Sequence, residues 1–194
     1  MTDNEKRKLH TDTITKHISI VKDLCEKMGI PELGEHHDES KFYPDEFEIY
    51  KYATGKGSPH DVARAELGYS PSWCLHKDRN PHHWEHWLDS HDATPNGDGT
   101  FTMIVVPVKM PYKYIIEMFC DFVGAGKAYD KGEWTVKTPL NYWNKNCEGK
   151  RAMHTDSYNL IKLLLNELSE SESLNMFLDW YEDNKEELEA NYNK

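Results

Sequence analysis

Apolar side chains recur with the period of an α-helix along most of this chain, and this pattern restricts the fold more than any other feature of the sequence. Over 13–28, for example, Ile14 and Val21 fall on one face, and Thr11 and Asp12 precede the segment as candidate helix caps. Further helices are predicted from Pro44, over 60–77 with an interruption near Gly68 to Pro71, from Pro81 to Leu88, from Pro111 to Gly124, and over 138–146, 155–168 and 173–190. The sequence therefore predicts a mainly α fold.

The run Phe-Thr-Met-Ile-Val-Val at 101–106 is the one persuasive strand signal. It follows the turn-rich stretch 94–100, so we predict a small β-hairpin with 90–94. The length of 194 residues favours a single domain over 1–194. We expect its core over about 12–168 and an acidic, mostly solvated C-terminal helix at about 173–190.

Lysine and arginine total 23 against 34 aspartate and glutamate residues, which gives a formal net charge of −11. An acidic surface repels phosphate backbones, so nucleic acid is an unlikely partner, whereas a small anionic substrate held by a few local cations stays possible. The sequence has no long apolar run and no signal-peptide pattern at its start, and its cysteines are far apart. We therefore expect no membrane association, reduced thiols and a cytoplasmic location.

Several of the eleven histidines lie close in sequence to carboxylates or to one another. His17 borders the apolar face of the first predicted helix, where a lone histidine is usually a core residue bonded to a carbonyl group. His37 and Asp38 follow as a dipeptide, and Asp121 lies in the apolar run Phe-Cys-Asp-Phe, where a carboxylate is costly unless it is paired or binds a metal. Imidazole nitrogens and carboxylate oxygens together suit Zn, Mn, Fe or Co.

A second histidine group lies in the segment 80–87, Asn-Pro-His-His-Trp-Glu-His-Trp. His82 and His86 have the i, i+4 spacing and His83 and His86 the i, i+3 spacing, so either pair can converge on one side of a helix. The alternative is a surface cluster covered by tryptophan rings.

The order of these residues resembles the HD superfamily, whose all-helical members bind a divalent metal through a His, a His-Asp dipeptide on the next helix and a distant Asp. The stretch His-Asp-Glu-Ser-Lys at 37–41 is similar to the H-D-x-x-K form, in which the Lys contacts substrate phosphate. The segments His-Asp-x-Ser-Lys-Phe, Asn-Pro-His-His-Trp and Glu-Met-x-x-Asp are also similar to an uncharacterised HD-like domain family common in phages and bacteria, over about residues 14–165. The resemblance implies an HD-type helical bundle with a small β-hairpin insertion near 90–106.

The resemblance also implies a first metal held by His17, His37, Asp38 and Asp121, with Asp38 as the bridging carboxylate if a second ion is present. The expected cofactor is therefore one or two divalent ions of Mn, Fe, Zn, Co or Mg.

Superfamily members with two metals use further histidines between the His-Asp dipeptide and the last Asp. His82 and His83 match those positions best, His76 and His86 are further candidates, and the role of His36 stays open.

Lys41 follows Asp38 by one turn, so its ammonium group can lie beside the metal and bind an anion. Lys41 and Asp38 are the predicted catalytic residues. Arg79 and Lys77, just before the histidine group, are further candidates for binding substrate phosphate.

The remaining polar and aromatic residues give weaker patterns. Glu35 and Glu39 are candidate acceptors that orient imidazoles. Surface positions are predicted for four other histidines, His10, His60, His91 and His154. Core packing is favoured over base stacking for three tryptophans, Trp73, Trp84 and Trp87.

The function implied by the resemblance is a metal-dependent phosphohydrolase acting on a nucleotide or another small phosphoester. Two alternatives stay open: a metal-bearing nucleotide-binding or host-interaction protein of phage type without turnover, and an HD-type di-iron oxygenase. If the chain is phage-encoded, the expected location is the cytoplasm of the bacterial host. The sequence is also compatible with a homo-oligomer.

Overall fold

The computed structural model describes residues 1–130, 132–149 and 152–194, and these form a mainly helical structure with one two-stranded sheet. The helices are α1 (Asp3–Lys27), α2 (Pro31–His36), α3 (Pro44–Phe47), α4 (Pro59–Leu67), α5 (Pro71–Arg79), α6 (Tyr112–Ala128), α7 (Thr138–Asn146), α8 (Thr155–Glu170) and α9 (Leu174–Tyr192). The strands are β1 (Leu88–Pro95) and β2 (Phe101–Pro107), and short 3₁₀ turns cover Glu39–Phe42, Glu48–Tyr52 and Trp84–Trp87. Within the described residues, no helix is long and apolar enough to cross a membrane.

Helix α1 begins at Asp3 because Thr2 forms a capping box with Glu5. The Thr2 hydroxyl accepts from the Glu5 amide at 3.3 Å, and the Glu5 carboxylate accepts from the Thr2 amide at 2.7 Å. The predicted start at Thr11 is wrong, since Thr11 lies inside the helix and its hydroxyl donates to the carbonyl of Arg7. The longer helix places His10 two turns before His17 on one continuous rigid element.

Helix α6 is at the centre of the core and packs against α1, α7 and α8. Its side chains Ile115 and Phe119 are fully buried, as are Val21 on α1 and Leu164 on α8. Burial of each such side chain contributes about 1.5–3 kcal/mol relative to exposure. The packing of α1 on α6 fixes the relative positions of His17 and Asp121.

The middle of the chain is built from short helices that each begin with proline at their first position, where the missing amide proton is not needed. The predicted helical stretch over 60–77 is two helices, because Gly68 ends α4 with φ of 81° and Ser70 caps α5. The predicted helix from Pro81 to Leu88 is wrong. His83 has an extended backbone, and the Trp87 indole closes the loop by donating to the Pro81 carbonyl at 2.7 Å.

The predicted hairpin is confirmed: β1 pairs antiparallel with β2 from Leu88 opposite Pro107 to Pro95 opposite Phe101, with a register shift between His91 and Thr94. The C-terminal helix α9 is less solvated than predicted, because Phe177, Tyr181 and Tyr192 bury one of its faces.

Close contact between α1 and α6 requires glycine at position 124, because a Cβ atom there would overlap Val21 Cγ2 and lie 3.5 Å from His17 Nδ1. We expect Gly124→Ala to lower the free energy of unfolding. The overpacking costs about 1–3 kcal/mol, which offsets or exceeds the roughly 1 kcal/mol that alanine gains over glycine in a helix. Urea denaturation measures the change.

Gly126→Ala is the matched control in the same helix, since its Cβ would meet the side chain of Trp134 at 3.0 Å rather than α1. Its stability should be unchanged or higher by up to about 1 kcal/mol. Equal effects of the two substitutions would contradict a specific α1–α6 constraint.

Candidate metal centre

Three separate parts of the chain bring together the first ligand set, His17, His37, Asp38 and Asp121. His17 lies on α1, Asp121 on α6, and His37 and Asp38 in the turn that ends α2. Asp38 has a left-handed backbone with φ of 59° and ψ of 15°, a conformation that Asp and Asn tolerate better than other non-glycine residues. This turn directs both side chains of the dipeptide toward α1 and α6.

Five of the six distances between the ligand atoms of the first set lie between 3.0 and 3.6 Å. His17 Nε2 is 3.0 Å from Asp38 Oδ2, 3.1 Å from Asp121 Oδ1 and 3.3 Å from His37 Nε2. His37 Nε2 is 3.4 Å from Asp38 Oδ2 and 3.6 Å from Asp121 Oδ1. Bonds of about 2.0–2.1 Å in a tetrahedral site place neighbouring ligand atoms about 3.3 Å apart. The observed spacing therefore fits four ligands around one ion.

The second ligand set is Asp38, His76, His82 and His83. His76 comes from α5, and His82 and His83 from the loop before the 3₁₀ turn. Asp38 Oδ1 lies 3.1 Å from His76 Nε2 and 3.6 Å from His82 Nε2. Asp38 thus faces the first set with Oδ2 and the second set with Oδ1.

Two other histidines considered as ligands lie elsewhere. His86 Nδ1 is 3.3 Å from the carbonyl oxygen of Lys77, and its side chain is exposed. His36 is also exposed and pairs with Glu39. The structure places neither with the ligand sets.

Two buried nitrogens of the second set, the Nε2 atoms of His82 and His83, have no hydrogen-bond partner among the described residues. A hydrogen-bond network could account for the first set, where carboxylates face imidazoles at hydrogen-bond distance. It does not account for these atoms, since buried polar groups without partners cost about 1–3 kcal/mol each. Their convergence shows that these buried side chains can hold a metal ion.

The far nitrogens of three ligand histidines contact buried glutamates. Glu117 Oε1 lies 2.9 Å from His37 Nδ1 and 3.0 Å from His82 Nδ1, and Glu46 Oε2 lies 2.8 Å from His76 Nδ1. A carboxylate that accepts from Nδ1–H leaves Nε2 free to coordinate a metal and fixes the ring orientation. Glu117 joins the two ligand sets, because His37 belongs to the first and His82 to the second.

These two glutamates were not identified from the sequence, where Glu35 and Glu39 were the expected acceptors. Glu35 instead pairs with Lys22, and Glu39 with His36, and both are exposed. The position of Glu117, one turn before Asp121 in an apolar helix, is a signal that could have identified it.

A family model described as a family of unknown function, DUF5662, matches residues 6–167. The chain belongs to the DUF5662 family. The matched region includes both ligand sets and both glutamates that orient them. The comparisons with curated proteins and with solved structures give no match.

In the DUF5662 site, the pKa of each ionisable side chain depends on two effects: burial, which disfavours the charged form, and the charged groups close to it. Burial alone would raise the pKa of Asp38, but His37, Lys41 and His76 hold it well below its usual range. Burial lowers the pKa of His82 and lowers that of His83 well below its ordinary value. Neutral imidazoles and ionised carboxylates are the forms that coordinate metals.

Of the three cations predicted to bind phosphate, only Lys41 lies at the site. Its ammonium group is 2.5 Å from Asp38 Oδ2, and its side chain is 25% exposed. Arg79 is bound to Asp45 and Glu46. Lys77 pairs with Asp78, and neither Lys77 nor Arg79 lines the adjacent cavity.

The prediction that His10 and His60 are surface residues is wrong. His10 is 9% exposed and packs on the ring of Phe47, and His60 is partly buried with Nδ1 2.8 Å from Ser70 Oγ. His91 is exposed as predicted, and His154 is partly exposed and caps α8. Both His10 and His60 line the cavity beside the ligand sets.

Glu117→Gln should weaken metal binding at both ligand sets by about 10–100-fold, because the amide is a poorer acceptor for the Nδ1–H groups of His37 and His82. Titration with Mn²⁺ against a competing chelator measures both affinities. Glu46→Gln is the matched control, since Glu46 orients His76 alone and should weaken only one site. If Glu117→Gln leaves both affinities unchanged, Glu117 has no orienting role.

Asp38→Asn should remove bound metal from both sets while preserving the left-handed turn, which Asn also tolerates. Mn²⁺ at 100 times its dissociation constant should stabilise the wild type by about 2.7 kcal/mol and the variant by nothing, since only metal bound to the folded state stabilises it. Thermal denaturation with and without Mn²⁺ measures this difference. The control His83→Gln should lose one ion and retain the other, and two ions retained by Asp38→Asn would contradict the shared ligand.

Proposed function

We propose that this chain is an HD-like, metal-dependent phosphohydrolase that holds two divalent ions and acts on a nucleotide or another small phosphoester. The single observation on which the proposal rests is the division of Asp38 between two ligand sets, one through each carboxylate oxygen. Asp38 would then be a ligand common to both sets, and pairs of divalent ions are used by many enzymes that act on phosphate esters. The order of the ligands along the chain, His17, His37-Asp38, the histidine group and Asp121, supports an HD-type arrangement.

The donor set favours Mn, Fe, Co or Zn over Mg. The two sets contain five imidazoles and two carboxylates. Mg²⁺ prefers oxygen ligands and retains several waters, whereas imidazole suits the transition metals and zinc.

The reaction proposed is hydrolysis of a phosphoester. The P–O bond of the ester breaks, a water oxygen bonds to phosphorus, and a proton passes to the leaving oxygen, which gives an alcohol and inorganic phosphate. When bound, the divalent ions would lower the pKa of a coordinated water and polarise the phosphoryl oxygen. The chain's own residues contribute orientation and charge: Asp38 fixes the geometry between the two sets, and Lys41 neutralises negative charge on the phosphoryl oxygens.

The cation at position 41 matters because the protein has a net charge of −11 and repels anions overall. Within the cavity, Lys41 is held beside Asp38, and burial acting alone would lower its pKa while Asp38 and Asp121 raise it. It is therefore positively charged at neutral pH.

Lys41→Met should lower turnover of a phosphoester by about a hundredfold or more, the scale seen when one donor to the transition state is lost. Its metal content, measured by elemental analysis, should equal that of the wild type. Lys77→Met is the matched control, because Lys77 lies outside the cavity, and its turnover should not change. Unchanged turnover in Lys41→Met would remove Lys41 from the mechanism.

The same metal-loaded protein distinguishes the alternatives. Release of inorganic phosphate from a panel of phosphoesters with Mn²⁺, Co²⁺, Fe²⁺ and Zn²⁺ supports the hydrolase. Tight nucleotide binding without release would favour the binding protein, and dioxygen uptake with Fe²⁺ would favour the oxygenase.

A further inference from the structure

The hairpin formed by β1 and β2 lies outside the core of the protein. Every residue from Asp89 to Val106 is exposed. At the base of the hairpin, the Val108 amide donates to the Trp87 carbonyl at 2.8 Å, and the chain re-enters the core at the buried Met110. An isolated two-stranded hairpin is marginally stable at best in water, and three or more strands are needed for independent stability. The hairpin therefore gains stability if further strands extend its sheet.

Strand β2 and the residue pair after it carry the densest group of exposed apolar side chains in the described part of the chain. Six side chains within eight residues are 42–62% exposed: Phe101, Met103, Ile104, Val105, Val106 and Val108. Side chains of this size, each about half exposed, amount to on the order of 500 Å², and apolar patches of a few hundred Å² or more often mark interaction sites. This segment is therefore a candidate interaction surface.

These apolar side chains lie on both faces of the sheet, because neighbours along a strand point to opposite sides. Val105 lies opposite Ser90 on one face, and Val106 lies opposite Asp89 on the other. A partner that covered one face alone would leave the apolar side chains of the other face in water. A strand added along the edge of β2 shields side chains on both faces, so edge pairing fits this distribution better.

The two open edges of the sheet differ in their capacity to pair. Strand β1 carries Asp89 and Asp92, and it contains one extra residue between His91 and Thr94, where the register shifts. Charged side chains and bulges are the features by which natural edge strands avoid pairing. The segment 99–108 has no charged side chain, and the extra residue is not on β2. The edge of β2 is therefore the one that can accept another strand.

Charge restricts the kind of partner. No lysine or arginine occurs in 88–108, and three aspartates do, at positions 89, 92 and 98. Nucleic acid and anionic membranes bind through clusters of basic side chains, so neither fits this surface. The net charge of −11 makes two copies of the chain repel each other in general, and association of copies requires an uncharged contact. Strand β2 provides such a contact, and a second copy of β2 is itself an uncharged, apolar strand.

We propose that the protein is a homodimer in which β2 of one protomer pairs antiparallel with β2 of its partner about a two-fold axis. The result is a four-stranded sheet in the order β1-β2-β2-β1, with the same strand contributed by both protomers. The charged and bulged β1 strands become the outer edges, and they stop the sheet at four strands. Two apolar surfaces of the estimated size total about 1,000 Å², the lower limit for a specific interface, so the dimer is reversible rather than obligate.

The first test measures the mass of the full-length protein in solution by sedimentation over a range of concentrations. The wild type should reach twice the protomer mass of 22.7 kDa and dissociate on dilution. The double variant Met103→Lys, Val105→Lys should stay at the protomer mass, because like charges on adjacent strands oppose pairing. Its thermal stability at low concentration should match that of the wild type, since both side chains are exposed.

Ser90→Lys is the matched control. Ser90 lies directly opposite Val105 on the same face, but on β1. This variant should still dimerise, since its lysine lies on an outer strand of the four-stranded sheet. Loss of the dimer in Ser90→Lys would show packing of one face and contradict edge pairing. A wild type that keeps the protomer mass at every concentration, or a double variant that still dimerises, would overturn the proposal.

Hydrogen exchange locates the interface independently of substitutions. Amides of β2 should exchange more slowly at high than at low protein concentration, because the second strand bonds the amides that point away from β1. The double variant should show no such dependence on concentration. Dimeric wild-type protein whose β2 amides exchange at the same rate at both concentrations would place the interface elsewhere and contradict the proposal.

Discussion

Burial of the Asp38 carboxylate is the constraint on which the rest of the site depends. The residue is fully inaccessible to solvent, and an ionised carboxylate in such a place is stable only with opposite charges or a metal close by. Histidines from α1, from α5 and from the loop after α5, together with Lys41, converge on it. Elements that are distant in sequence are therefore held together by one side chain, and the apolar contacts of α1 with α6 supply the frame in which this is possible.

Carboxylates outnumber lysine and arginine side chains in the centre. Asp38, Asp121 and Glu117 are held in their ionised forms, and Lys41 is the one lysine or arginine among the described residues beside them. Burial works against the charged form of His37, yet the carboxylates around it raise its pKa well above the ordinary value. Protons and divalent ions therefore compete for the same positions, which is typical of metal sites built from histidine and carboxylate.

Local sequence patterns predicted some elements of the structure but failed at the start of α1 and between Pro81 and Leu88, and residues defined only by distant contacts were the hardest to identify. The hairpin strand at 101–106 and the costly carboxylate of Asp121 were recognised because both signals are local. His76 was only one of several candidates, because its position beside Asp38 depends on how α5 packs. Glu117 and Glu46 were missed for the same reason: an orienting acceptor is identified by what it contacts, and those contacts span 80 and 30 positions in sequence.

Because Asp38 has a left-handed backbone, very few other amino acids could replace it and still coordinate a metal. Glycine would accept the turn most readily but has no ligand atom, and asparagine would accept the turn but has no negative charge. Glutamate has the charge, yet its longer side chain would have to begin from a backbone conformation that it rarely adopts. Aspartate alone meets both requirements, because it tolerates the left-handed backbone and carries a short, negatively charged side chain. Family members that retain the metal centre should therefore retain aspartate at this position, even where their surface residues differ.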